Sequence, residues 1–351
     1  MKRDALRIPS LDGIRAAAVL LVFAAHAGLN DRVPGNFGVT VFFFLSGYLI
    51  TTLLRVEYDA AGGVNLRAFY LRRALRILPP MYVVLGTASL LTLVGGLEGS
   101  LAPDAVLAQV LHLSNYYIIQ HGWWDGRAPG TWIYWSLAVE EHFYVVFPVL
   151  YLALRRGLPS GRGQLLVLLG LCALVLAWRV VLVVGFGAPK DRTYVATDTR
   201  VDSILFGCAL AVYGNPVLDG PLLGGRRQGL WLPLGVAGLL VSFLVRAPEF
   251  EQSVRYSLQG VALVPLFIAA IRHPEWVCFR ILNLRPVAFI GTLSYSVYLL
   301  HPTVLFALEQ RVGWPALPRG ALALGIALAL ALAIYGLIER PCARIRAERS
   351  L

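Results

Sequence analysis

The chain has 351 residues, of which 58% are hydrophobic and only 15% charged, and its mean hydropathy is +0.68. Soluble domains carry about 25% charged residues, so this composition excludes a soluble globular enzyme and indicates an all-α polytopic membrane protein. The formal charge of +11 does not point to nucleic acid, because the basic residues stand in short clusters between apolar runs, where they set topology.

A bilayer requires about 20 apolar residues per helix, and runs of that order predict ten spans, at 13–29, 37–54, 79–97, 134–154, 165–187, 201–214, 230–245, 257–272, 287–306 and 320–338. The stretch 102–119 is not counted, since it holds Asp104, Gln109, His112 and Asn115. Lys2, Arg3 and Arg7 precede the first run as in a signal peptide, but no small-residue cleavage site leading into a polar segment follows, so this helix is expected to be retained. With ten spans, twenty basic residues fall on the side of the N-terminus and nine on the other, while Arg15 and Arg179 lie within spans. The positive-inside bias then places both termini in the cytoplasm of a multi-pass protein of the inner cell membrane.

The first span, LDGIRAAAVLLVFAAHAG from Leu11 to Gly28, carries Arg15 near its start and His26 near its end. Eleven helical residues return to almost the same angle, so the two share one face about 16 Å apart. Ionisable groups within a span turn toward protein or a wet cavity and are functional candidates; the plainer alternative is a snorkelling arginine and a packing histidine. In the second span, Ser46 of LSGYL lacks the frame of a nucleophile elbow, and Ser46 with Gly47 is expected to serve close helix packing. Asp59–Gly63 is a turn without the Lys or Ser/Thr of a phosphate loop. Arg72, Arg73 and Arg76 follow in FYLRRALRILPP, with Arg73 and Arg76 neighbours on one helical face suited to phosphate. The segment 98–133, rich in Gly, Trp and Tyr, is either an interfacial belt or a lid.

Further along lie Glu140 and Glu141, then Arg200 and Asp202, then His301 before Pro302, and Glu339 with Arg340. The topology sorts these into two layers. His26, Glu140, Glu141, Arg200, Asp202 and His301 fall on the outer side, and Asp12, Arg15, the Arg72–Arg76 cluster and Glu339 on the inner. The outer layer has the parts of a general acid/base site, in which a histidine takes a proton and a carboxylate orients it; the glutamates could instead pair with Arg200. The inner layer has the parts of an anion site, or simply of positive-inside charges. A ligand with an anionic head and a reactive end that reaches His26 fits both layers, and an acyl-coenzyme A has that shape. Cys172, Cys208, Cys278 and Cys342 lack metal-ligand spacing and are expected to be buried packing residues, and no metal is expected.

LDGIRAAAVLLVFAAH, GVTVFFFLSGYLI, FYLRRALRILPPMY, WSLAVEEHFY, TRVDSILFGCALA, IGTLSYSVYLLHP and IERP occur in an order that resembles the acyltransferase-3 membrane O-acyltransferases, a family that includes O-antigen acetylases and macrolide acyltransferases. A single domain over 1–351 is expected, which departs from some relatives in lacking a fused SGNH domain; the resemblance implies a ten-helix membrane core. It also implies an acyl-CoA donor, acetyl-CoA above all, and a carbohydrate or macrolide-like acceptor. His26 would be the essential residue, Arg15 and Arg73-x-x-Arg76 would serve the donor, and Glu140 or Glu141 would support the site. His142 stands where the family more often has Gln. A rival reading is a transporter or flippase in which the same charges line a path and no bond is made.

Overall fold

A computed structural model describes residues 9–220 and 228–348, and every regular element among them is helical. Lys2, Arg3, Arg7, Arg226, Arg227 and Arg349, which entered the charge count, lie outside the described residues. Ten helices of sixteen residues or more occupy the ten predicted stretches: α1 Pro9–Ala24, α2 Gly35–Ala61, α3 Leu66–Leu93, α4 Tyr134–Gly157, α5 Gly161–Val180, α6 Thr197–Val212, α7 Gln228–Leu244, α8 Val254–Arg272, α9 Arg285–Arg311 and α10 Ala316–Ile334. Eight are long and apolar enough to cross a membrane, some with short π-helical extensions, while α6 and α7 are shorter. The rejected stretch 102–119 forms two eight-residue helices, Pro103–Val110 and Ser114–His121, neither of which could span.

One boundary differs in a way that matters. The third helix starts at Leu66 rather than near residue 79, because Asn65 caps it by accepting from the Ala68 amide at 3.0 Å. Arg72, Arg73 and Arg76 are therefore inside the long helix, one turn before Pro79 and Pro80, not in a segment ahead of it.

The most extensive contacts are between α2 and α6 and between α1 and α9, and close approach at glycines makes both possible. A Cβ on Gly47 would lie 1.9 Å from the Ile204 carbonyl oxygen and one on Gly207 2.0 Å from that of Phe44, so the α2 and α6 backbones touch. Gly291 of α9 sits against Asp12 in the same way. Gly207→Ala is expected to force α2 and α6 apart and to destabilise the protein by ~1–3 kcal/mol, as overpacking does, read as a lowered melting temperature in detergent. An unchanged melt would show that the helices separate freely. The Arg55 guanidinium of α2 adds a clamp, donating to Asp219 in the loop after α6 at 2.5 and 2.9 Å. Burial pushes the Asp219 carboxyl up, but the Arg55 bond and charge outweigh it and hold the group below the usual carboxylate range.

Two of the four cysteines depart from expectation: Cys172 and Cys208 are buried, whereas Cys278 is exposed and Cys342 half-buried. Cys278 stands in the short helix Val277–Arg280 between α8 and α9, and Cys342 in the helix Arg340–Glu348 that follows α10, outside the long helices.

Candidate active site

The sequence-predicted residues do not form the two layers expected; they sort into three groups. The first is a cavity of about 390 Å³ walled by α1, α2, α3, α4 and α9. Asp12, Arg15, Arg73 and Arg76 line it together with Ser46 and Glu140. Arg15 is 3.4 Å from Asp12. Arg73 and Arg76 make no hydrogen bond or ion pair among the described residues; Arg73 instead stands over the rings of Phe69 and Tyr144, each 5.8 Å away. Three arginines and two carboxylates, Asp12 and Glu140, share this cavity, and the excess of positive charge suits an anion. Arg72 turns elsewhere, to Glu57 at 2.9 Å. Glu339 accepts from Ser296 and is not among the cavity residues.

Glu140 belongs to this arginine group and not with His26. Its carboxylate accepts from the Ser46 hydroxyl at 2.5 Å, and Ser46 in turn accepts from Tyr144 at 3.1 Å. Ser46 therefore has a polar role in the cavity wall beyond the packing expected of it, and Gly47 alone makes the close approach. Glu141 is half-buried, and its Oε1 has no hydrogen-bond partner. The two carboxylates diverge because adjacent positions on a helix differ by ~100°.

The second group is a histidine pair beyond the cavity wall, beside Tyr298. His26 Nδ1 lies 2.9 Å from His301 Nε2, and the rings stack 5.1 Å apart at 9°. The partner of His26 is thus a histidine where a glutamate was expected. Local sequence explains the geometry. His26 sits in a π-helical turn, Ala25–Leu29, that ends α1, and Gly28 there adopts φ 101°, which only glycine takes at no steric cost. On α9, Pro302 has no N–H and leaves the carbonyl four residues back, that of Tyr298, without its helical partner. His301 Nδ1 is 2.8 Å from that oxygen and 3.1 Å from Val297 O. Carbonyls only accept, so His301 Nδ1 carries the proton and Nε2 is a bare acceptor. His26 Nδ1 must then donate to it, which leaves His26 Nε2 as the free lone pair. His301 is fully buried while His26 is exposed at the end of the bundle.

Between the two groups stand Tyr298 and Ser136, whose hydroxyls are 2.7 Å apart, with Phe42 packed on the Tyr298 ring. Both hydroxyl residues line the cavity, which stops at them short of His26.

The third group is structural and lies apart. Arg179 and Asp202, both 0% exposed, form a two-point pair at 2.8 and 2.7 Å that Ser257 completes by donating to Asp202 at 2.7 Å. Arg200, also fully buried, lies 3.9 Å over the Tyr256 ring and donates to Thr40 at 3.2 Å, so it pairs with neither glutamate. His142 bonds to Thr197 at 2.7 Å from within α4. One hint of this cluster was legible beforehand: Arg179, an arginine inside a span that had no assigned partner.

A family model described as an acyltransferase domain, acyltransferase 3, matches residues 8–338. The chain belongs to the acyltransferase 3 family. The peptidoglycan O-acetyltransferase OatA of Listeria monocytogenes is 32% identical over 308 residues, covering 85% of this chain and 49% of that protein. The O-acetyltransferase OatA of Staphylococcus aureus strain NCTC 8325 is 31% identical over 310 residues, covering 85% and 51%. This acyltransferase 3 chain thus spans about half the length of the curated relatives it matches. No solved structure matches it.

Proposed function

We propose that the chain is a membrane O-acetyltransferase that moves an acetyl group from cytoplasmic acetyl-CoA to a hydroxyl of a carbohydrate. The observation that carries this reading is the arginine-lined cavity, closed at its far wall by Tyr298 next to the His26–His301 pair. Arg15, Arg73 and Arg76 would hold the phosphates of the donor, and the ~16 Å along α1 to His26 is a length that an extended pantetheine arm bridges. His26 Nε2 would take the acceptor hydroxyl proton as the oxygen attacks the thioester carbonyl; the carbon–sulfur bond breaks, and the thiolate leaves with that proton. The two-carbon acyl group and the carbohydrate acceptor rest on the activities named for the relatives, and favour a saccharide over a macrolide. The ten spans, both termini in the cytoplasm of the inner membrane, and a single domain over 1–351 belong to the same proposal.

The test is transfer of label from acetyl-CoA to a saccharide by the purified protein. Arg73→Gln and Arg76→Gln are each expected to raise KM for acetyl-CoA ~10- to 100-fold, the worth of a charge-assisted hydrogen bond, with kcat little changed. Equal KM values in wild type and variants would place the donor elsewhere.

A further inference from the structure

His26 is exposed, so an acceptor meets Nε2 from the end of the bundle, and the chain builds that end from the segment joining α3 to α4. Its final loop is strapped down beside the histidines. Gly130 has φ 85° and lies so close to α9 that a Cβ would stand 2.2 Å from the Thr303 amide nitrogen, and the Thr303 hydroxyl donates to Pro129 O at 3.1 Å. Thr303 is two residues beyond His301. The Ala102 amide donates to Gly126 O at 2.8 Å, and the buried Arg127 donates to Gly122 O while facing the Tyr117 ring at 5.3 Å.

Two indoles stand on this fixed loop. Trp132 meets His26 edge-on, ring centres 6.5 Å apart at 73°, and Trp124 meets Trp132 at 4.9 Å and 67°. Trp124 is 70% exposed. A series of ring contacts therefore runs from the exposed Trp124 through Trp132 to the proposed base. An indole in a lipid belt needs no such ring contact, whereas a flat apolar face with an N–H beside a general base suits the C–H face of a pyranose, whose hydroxyls project toward the rim.

We propose that Trp124 and Trp132 form the acceptor subsite, on which a sugar ring stacks so that one hydroxyl reaches His26 Nε2. The inference rests on the acetyltransferase reading given above and extends it to where the carbohydrate sits. Trp124 carries the affinity and Trp132 sets the distance to His26.

The experiment titrates the soluble N-acetylglucosamine–N-acetylmuramic acid disaccharide at saturating labelled acetyl-CoA. Trp124→Ala is expected to raise KM for the disaccharide about tenfold, the worth of one aromatic stacking contact, with kcat within about twofold and KM for acetyl-CoA unchanged; Trp124→Phe recovers most of the affinity. Trp314→Ala, which removes another exposed indole, 52% accessible, serves as the control with wild-type constants. An unchanged disaccharide KM in Trp124→Ala, beside an active wild type, overturns the subsite and assigns Trp124 to the lipid belt. A second readout separates this from the parent reading: the disaccharide should protect Trp124 from N-bromosuccinimide in wild type without donor. Protection without any transfer keeps the subsite and refutes the transferase, and absence of protection together with absence of transfer refutes both.

Discussion

Replacing His26 with alanine is expected to lower acetyl transfer by ~10²–10⁴-fold, the range that a positioned general base supplies, while the melting temperature stays near that of wild type. The two halves of this expectation have separate physical grounds. His26 is exposed and, among the described residues, its side-chain hydrogen bond is the 2.9 Å contact with His301, so the stability at risk is a single hydrogen bond worth ~1 kcal/mol. The rate loss follows because His26 Nε2 is the lone pair that this reading places against the acceptor hydroxyl. His301→Ala sharpens the test. It removes the acceptor that holds the His26 proton on Nδ1, so the imidazole partitions between tautomers and turnover falls, but by less than in His26→Ala. His301→Gln, whose amide oxygen can accept in place of Nε2, should recover part of that loss. A His26→Ala protein with wild-type turnover would falsify the role given to the pair.

The largest effect on stability is expected from Asp202→Ala, a loss of ~3–5 kcal/mol. Asp202 and Arg179 are both fully buried, and the aspartate also accepts from Ser257 and from the Ser203 amide. Removing it strands a guanidinium away from water with only Thr199 O, Ser257 and the Tyr256 face for company, and a stranded buried charge is what makes the broken pair costly. A double variant, Arg179→Met with Asp202→Leu, takes away the charge as well as its partner and should be clearly more stable than Asp202→Ala. Thermal melts followed by tryptophan fluorescence in detergent compare the three proteins. If the double variant melts no higher than the single one, the loss comes from packing of α5 against α6 rather than from charge.

The long helices were legible because apolar length and basic clusters act locally along the chain. Arg15 and His26 were legible for the same reason, since both ride one helix whose pitch fixes their angle and separation. What could not be read was depth between helices. Glu140 was assigned to the His26 layer, but it stands six residues into α4 and reaches the Arg15 and Arg76 cavity instead, because the offset of α4 against α1 depends on packing that no local pattern encodes. The same holds for Arg179, whose acid lies 23 residues away on another helix. The His301–Pro302 dipeptide did contain its own explanation, a missing N–H that frees a carbonyl for the imidazole, but its histidine partner only becomes visible once α1 and α9 lie side by side.

The contact between Tyr298 and Ser136 has a consequence for the membrane that surrounds this protein. A bundle with a charged cavity on one side and an exposed histidine on the other invites a proton wire, and each elementary charge that slips across 100 mV dissipates ~2.3 kcal/mol. The Tyr298 and Ser136 hydroxyls, 2.7 Å apart, and the Phe42 ring stand in the cavity wall on that side, and of these the apolar ring is the part that interrupts a chain of proton carriers. On the reading proposed above, a thioester arm passing the phenol would fill the passage that it opens, and the acetyl group would cross while the membrane stays electrically tight.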